Sequence, residues 1–379
     1  RSMDAISQYA CATGTDSPAL RALASKLGSD TVSEIRGFCP EKLSGGVDYL
    51  PKTEVFPSGV ALCRSSWGAD ATLFAVRAGA CWNHSHNDSG SFVIYHKGRP
   101  FFTDSGTCSY ESPLYHAYYC QDQAHSTVLV GGRGRRDEEL YRGTKFPAQI
   151  TDSFSTDGLF FVQVDCAGPM AHLVSRLFRN FIWIDNRILV VFDEIFSHEE
   201  ENVQFTLHYD GEYFLENDSV IISNDPAKAR FKTVYPDNTE ICTKIGHDDH
   251  KETIPREYLV VSTKEKRRTN FMIHTIELDP DGRETVVENL TGENQIGVRI
   301  TDADREYDII FNTYADGHVM HDNTNNVIAG YDTDAYMLVI TRNIIQQKEK
   351  ALVVCGSYLR RGGDALFSSF TKKTVEIKI

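Results

Sequence analysis

Arg179-Asn180-Phe181-Ile182-Trp183-Ile184-Asp185-Asn186-Arg187-Ile188-Leu189-Val190-Val191-Phe192 holds two apolar runs of strand length around Asp185-Asn186, a pair that tolerates positive φ. This is the pattern of a tight β-hairpin. The same reading extends outward in both directions. Ser91 to Tyr95 and Pro100 to Thr103 flank Lys97-Gly98, and Gln204 to Tyr209 runs into Asp210-Gly211 as a third expected hairpin. Further strands are expected at Glu257 to Ser262, Phe271 to Glu277, Tyr307 to Asn312, Tyr336 to Thr341, Ala351 to Tyr358 and Thr374 to Ile379.

Helix signals are confined to the beginning of the chain. Ser17-Pro18 followed by Leu20, Leu23, Ala24 and Leu27, then Gly28, has an N-cap, a proline at the first helical position, helical apolar spacing and a glycine stop. A second short turn is expected near Thr31, where Glu34 completes a capping box and Gly37 ends it. With so many strands and no helices between them, a parallel βαβ fold is excluded, and stacked antiparallel sheets are the way to bury both faces. The expected fold is therefore all-β: a large antiparallel β-sandwich of stacked sheets, with a short N-terminal helical remnant. A polar, Gly-containing stretch around 278–306 suggests three parts: residues 1–50 as helical linker, 51–285 as main sandwich and 286–379 as a smaller sheet region.

The 379 residues carry a formal charge of −14, which argues against a nucleic-acid partner, because phosphate binding requires a basic surface. It leaves a polyanionic sugar open, since a cleft can be locally basic on an acidic protein. No run of eighteen apolar residues occurs, so no membrane span is expected, and the first residues lack a secretory pattern. If Arg1-Ser2-Met3 is a cloning scar, native residues lie upstream. The nine cysteines form no CxxC and no repeated spacing, so buried thiols are favoured over a disulfide framework or thiolate site.

The densest polar cluster is Trp82-Asn83-His84-Ser85-His86-Asn87-Asp88-Ser89-Gly90-Ser91-Phe92. In an extended chain, His84 and His86 would share one face. The following hairpin ends at Thr103-Asp104-Ser105-Gly106, and His125 precedes the apolar run Val128-Leu129-Val130. Two imidazoles and a carboxylate suit zinc, with water in the fourth position, so His86, Asp104 and His125 form a candidate metal set. Any single histidine is more often simply hydrogen-bonded, but the clustering shifts that balance. His247 and His250 with Asp248 and Asp249, and His318 with His321, read as solvated turns. His96, His116, His172, His198, His208 and His274 show no partner pattern.

These segments resemble the heparinase II/III-like polysaccharide lyases. The resemblance rests on Phe56-Pro57-Ser58-Gly59 through Cys63-Arg64-Ser65-Ser66-Trp67-Gly68-Ala69-Asp70-Ala71, on His84-x-His86-x-Asp88-x-Gly90-Ser91-Phe92, on Asp104-Ser105-Gly106, on Ala124-His125-Ser126-Thr127-Val128, and on the hairpin from Arg176 to Glu194. It is specific from about 56 to 210. It implies eliminative cleavage of a uronic-acid-containing polysaccharide, with an N-terminal (α/α) toroid as partner to the β-sheets and the active site between them. It further implies His84 as catalytic histidine, a structural divalent ion, most simply zinc, on His86, Asp104 and His125, and a periplasmic or secreted location, with a cytoplasmic one as the alternative. Most of the toroid, with its Asn or His and its catalytic Tyr, has no counterpart in residues 1–50, which puts activity of this chain alone in doubt. Tyr110 and Tyr115 are the expected substrate contacts, against a reading of the tyrosine run as packed aromatics, and a homodimer is left open. Two rivals stand beside this: a cupin-like metal oxygenase or isomerase, opposed by Asp88 being the single carboxylate in 87–94, and a non-catalytic carbohydrate-binding sandwich.

Overall fold

The computed structural model describes residues 51–68, 70–81, 85–135, 145–249, 251–283, 285–315, 317 and 326–379. The helices expected at Ser17–Leu27 and Thr31, together with His84, His250, His318 and His321, lie outside the described residues. Asp185 and Asn186 both take left-handed φ values, 49° and 53°, and close the hairpin Val174–Ile184/Ile188–Glu201 as the sequence requires. Its side chains alternate between two cores. Phe181, Trp183, Leu189 and Val191 enter one core, whereas Ile182, Ile184, Val190 and Phe192 enter the other. The unbroken apolar run is thus that of a sheet covered on both sides.

That hairpin is the centre of an eight-stranded antiparallel sheet with the spatial order Glu212–Glu216, Ser219–Asn224, Ala227–Tyr235, Arg267–Leu278, Ile188–Glu201, Val174–Ile184, Leu159–Asp165, Gln149–Thr156. On its first face lie a five-stranded meander from Thr53–Phe56 to Arg99–Phe102 and a four-stranded sheet ordered Thr239–Asp248, Lys251–Thr263, Val203–His208, Val128–Val130. Phe74 of the meander stacks on Trp183, with ring centroids 5.4 Å apart. The second face meets another eight-stranded sheet, built from Val286–Asn289 through Asp364–Lys378, where Phe192 stacks on Phe311. Large antiparallel sheets stacked in layers are the fold. No helix among the described residues is long and apolar enough to cross a membrane.

The hairpin expected at Asp210-Gly211 does not form. Val203–His208 instead pairs with Lys251–Thr263 and Val128–Val130, and Asp210-Gly211 carries the chain across to the edge strand Glu212–Glu216 of the central sheet. Gly211 is required there by close approach, since a Cβ would stand 2.3 Å from the Ser223 carbonyl oxygen, at a φ of 126°.

Within the central hairpin Arg179 faces Asp193 across the strands, and both are fully buried. Arg179 Nε donates to Asp193 Oδ1 at 2.7 Å and Nη2 to Oδ2 at 3.2 Å, a bidentate pair. Its remaining nitrogen, Nη1, donates to the carbonyls of Gly90 at 2.6 Å and Ser126 at 2.9 Å. One guanidinium therefore ties together the loop after residue 85 and the segment entering Val128–Val130. Removing it strands a buried carboxylate and two carbonyls. Arg179→Ala is expected to cost about 3–5 kcal/mol in denaturant unfolding. The double variant Arg179→Met/Asp193→Leu should recover part of this but not all, because the Gly90 and Ser126 carbonyls still lack a donor.

Candidate functional site

Residues 85–91 do not continue a strand; Phe92–His96 begins only after a turn. The cluster lies just before that strand, as expected; a loop positions His86, and the face it was expected to share with His84 falls outside the described residues. The loop is held at several points. Asn87 N donates to the Cys120 carbonyl at 3.0 Å, Gly90 N to the Arg77 carbonyl at 2.6 Å, and Arg135 Nη2 to the Ser89 carbonyl at 2.6 Å. Arg135 is itself anchored by Asp122, its Nη1 lying 2.9 Å from Oδ1 of that buried carboxylate. Arg77 donates to Asp88 through a short hydrogen bond. Gly90 has a φ of 80°, and a Cβ there would lie 2.7 Å from Cys166 Sγ and 2.9 Å from Arg179 Cδ, so no other residue fits.

Three of the expected site residues come together. Asp104 follows the strand Arg99–Phe102, accepts the Gly106 N–H on Oδ1 at 2.6 Å, and sets Oδ2 2.6 Å from His125 Nδ1. His125 is completely buried, and its Nε2 donates to the Tyr119 carbonyl at 3.1 Å. The His86 ring lies tilted over it, with centroids 5.4 Å apart. Burial, with the charge of His125, holds His86 below the ordinary imidazole range. For His125 burial acts in the same direction, yet the Asp104 carboxylate outweighs it and raises the value. Burial likewise opposes the charge on Asp104, but His125 and the Gly106 N–H prevail and pull its carboxyl down to about 2.

Tyr115 and Tyr110 differ in placement. Tyr115 is buried, packing edge-on against the His86 ring at 5.8 Å, while Tyr110 stands 59% exposed at the rim with its ring 4.7 Å from that of Tyr115. Both belong to the segment that ends in a π-helical turn at Tyr115–Tyr119, an element often met at functional sites. His84 lies outside the described residues.

The structure adds groups that the sequence reading passed over. His208, completely buried, donates from Nε2 to the Gln123 carbonyl at 2.9 Å, which leaves Nδ1 to accept from Ser105 Oγ at 3.3 Å. Ser105 Oγ then accepts from the Tyr118 hydroxyl at 2.8 Å. Burial takes His208 down to about 3, so it is neutral and the direction of this chain is fixed. The turn expected at His247 to His250 is present at Asp249, which is exposed, but His247 and Asp248 are half-buried against the site. His247 packs edge-on against Tyr118 with centroids 4.9 Å apart, Tyr119 donates its hydroxyl to the Asp248 carbonyl at 2.6 Å, and Asp249 Oδ1 accepts the Thr107 N–H at 3.1 Å. The signal for this contact is not in the acidic turn itself. It lies in the long strands Thr239–Asp248 and Lys251–Thr263, which carry the turn to the site.

As arranged, no group of three His, Cys, Asp or Glu side chains among the described residues is disposed to hold a metal ion. Part of a ligand set is nonetheless prepared. A carbonyl only accepts, so Nε2 of His125 carries hydrogen, and Nδ1 and Asp104 Oδ2 face each other at 2.6 Å, the spacing of a hydrogen bond with a proton between them. A carbonyl that fixes the far nitrogen is the usual support of a metal-binding histidine. As placed, the pair shares a proton, and a divalent ion bonded at about 2.0–2.2 Å to each atom would need the two groups further apart.

Known proteins resemble this chain in sequence and in fold. A heparin-sulfate lyase of Bacteroides stercoris is 28% identical over 182 residues, covering 46% of this chain and 24% of its own. The solved heparan sulfate lyase HepC of Pedobacter heparinus superposes with a TM-score of 0.62 at 16% identity, over 79% of this chain and 46% of that one. Crystalline heparinase III gives 0.56 at 14% identity, over 69% and 42%. The chain thus spans about a quarter of the curated relative and under half of these solved chains. The family model described as heparinase II/III-like, C-terminal, matches residues 57–288, more than half of the sequence, and the chain belongs to that family.

Proposed function

We propose that the protein takes part in β-elimination of a uronic-acid-containing polysaccharide, of the heparin or heparan sulfate kind, in the periplasm or outside the cell. The observation that carries this reading is the convergence of His86, Asp104 and His125 within the segment matched to the heparinase family. In such a reaction a base removes the proton at C5 of the uronate, the electron pair forms the C4–C5 double bond, and the C4–oxygen bond breaks as that oxygen takes a proton. The C5 proton is acidic enough only when the neighbouring carboxylate is neutralised by donors or cations. Histidine is suited to the base step near neutral pH, and such assistance is typically worth about 100- to 10,000-fold.

By family resemblance His84 is the base, and the rim from His86 to Tyr110 would present the substrate, with Tyr115 behind it. The remaining proton donor and carboxylate clamp would come from an N-terminal toroid, in keeping with the shorter span of this chain relative to its relatives. Elimination leaves a conjugated product that absorbs in the near ultraviolet. The natural protein is expected to raise that absorbance with a heparan-type polymer, and His84→Ala should lower the rate about 100-fold or more. An unchanged rate in the variant would remove His84 from the mechanism.

His86, Asp104 and His125 are further proposed to hold one divalent ion, most simply zinc, which would fix the loop 85–91 to the segment around His125 and supply positive charge at the site. Elemental analysis of the purified protein should then find about one ion per chain, and His86→Ala or His125→Ala should lose it. A folded, metal-free wild type would rule the ion out while leaving the lyase reading intact.

A further inference from the structure

A cavity of about 580 Å³ opens where the turn at Asp157-Gly158 meets the ends of Arg305–Asn312, Met337–Asn343 and Asp364–Lys378. It is remote from the histidine cluster. Arg305, on its wall, pairs with Asp185 at the tip of the central hairpin, and Asp185 lies six residues beyond Arg179, roughly 20 Å along a strand. Arg179 is the residue that touches Gly90 and Ser126 beside the candidate site.

The wall is basic on an otherwise acidic protein. Arg305, Arg342, Lys348, Lys350 and Lys378 line it, against the carboxylates of Asp157 and Glu349. Arg342 is held rigidly by Glu306, Asp308 and Glu349. Lys348 and Lys378, both exposed, have no ion-pair partner among the described residues. Lys350 and Lys378 are direct cross-strand neighbours, although Lys350 has Glu376 at 2.9 Å. Like charges placed opposite one another on adjacent strands repel, and an anion between them relieves that cost. Thr341, Asn343 and Gln347 add neutral hydrogen-bonding groups to the same wall, which suits hydroxyls as well as charges.

We infer that this cavity is a second, non-catalytic binding site for an anionic oligosaccharide, recognised through sulfate or carboxylate groups by Lys348 and Lys378 with Arg342 behind them. The choice of a saccharide rests on the lyase reading; the choice of an anion rests on the cavity alone. A nucleic acid is disfavoured by the charge of −14 and by the absence of an exposed aromatic ring from this wall. Such a site would retain a polymer on the protein while its reacting unit occupies the histidine cluster.

The test is titration calorimetry of the natural protein, at low salt, with a size-defined sulfated uronate octasaccharide. Lys348→Glu/Lys378→Glu should weaken binding about fivefold, as expected when two exposed ion pairs turn repulsive, and should reduce the salt dependence. The charge-matched Lys52→Glu/Lys264→Glu should leave binding unchanged. Equal losses in the two double variants, no loss in either, or equally tight binding of an oligonucleotide of the same charge would overturn the site. If the octasaccharide signal depends on Lys348 and Lys378 while no uronate polymer is eliminated, the lyase reading falls and the cavity stands. If elimination proceeds and the lysine variant binds like wild type, the cavity falls alone.

Discussion

The buried pair Arg179–Asp193 is the constraint on which the candidate site depends. Burial pushes the Asp193 carboxyl upward and would favour its neutral form, so its charge is maintained by the guanidinium opposite it. A fully desolvated ion pair contributes little net stability unless all its hydrogen-bonding groups are used. Here the surplus donor is used on the two carbonyls, of Gly90 and Ser126, that bracket the histidine cluster. The pair thus converts the stiffness of the central hairpin into the relative position of two loops far apart in sequence. Arg135 and Asp122 repeat the device on the Ser89 carbonyl. Two buried guanidiniums fix one loop.

A similar polar line crosses between the central and last sheets. Gln163 donates to Asn180, Asn180 to the Tyr336 hydroxyl, and that hydroxyl to Glu194, which also receives Arg176. The apolar part of this interface, with Phe192 stacked on Phe311, is non-directional and would tolerate sliding. Hydrogen bonds of fixed length do not, so the network sets the register in which the two sheets meet. The last sheet is therefore held in one orientation against the layer that supports the site.

What the sequence made legible follows the range of the interactions involved. The turn at Asp185-Asn186 and its flanking apolar runs are local, and their reading as a hairpin holds in the structure. Asp210-Gly211 carries the same local signal, yet it serves a crossing between sheets, because Val203–His208 finds better partners far away in sequence. His86, Asp104 and His125 could be grouped because the residues that carry the family resemblance lie close together in the chain. His208 meets Ser105 across 103 residues and Asp249 meets Thr107 across 142, with no periodicity to announce either contact. A histidine without a sequence pattern was legible only once strand pairing had brought it to the site.

The arrangement of hydrogen-bond donors explains why the cluster is built from two kinds of histidine. Both His125 and His208 spend Nε2 on a backbone carbonyl, so each presents Nδ1 inward as its variable atom. At His208 that atom meets a hydroxyl, which can donate, and burial keeps the ring neutral. At His125 it meets a carboxylate, which cannot donate when ionised, so a proton resides between them and the ring carries positive charge. Burial first, and then that same charge, hold the half-buried His86 low in basicity, which favours its neutral ring. One carboxylate, Asp104, thereby organises a site in which positive charge is localised beneath a neutral imidazole at the rim.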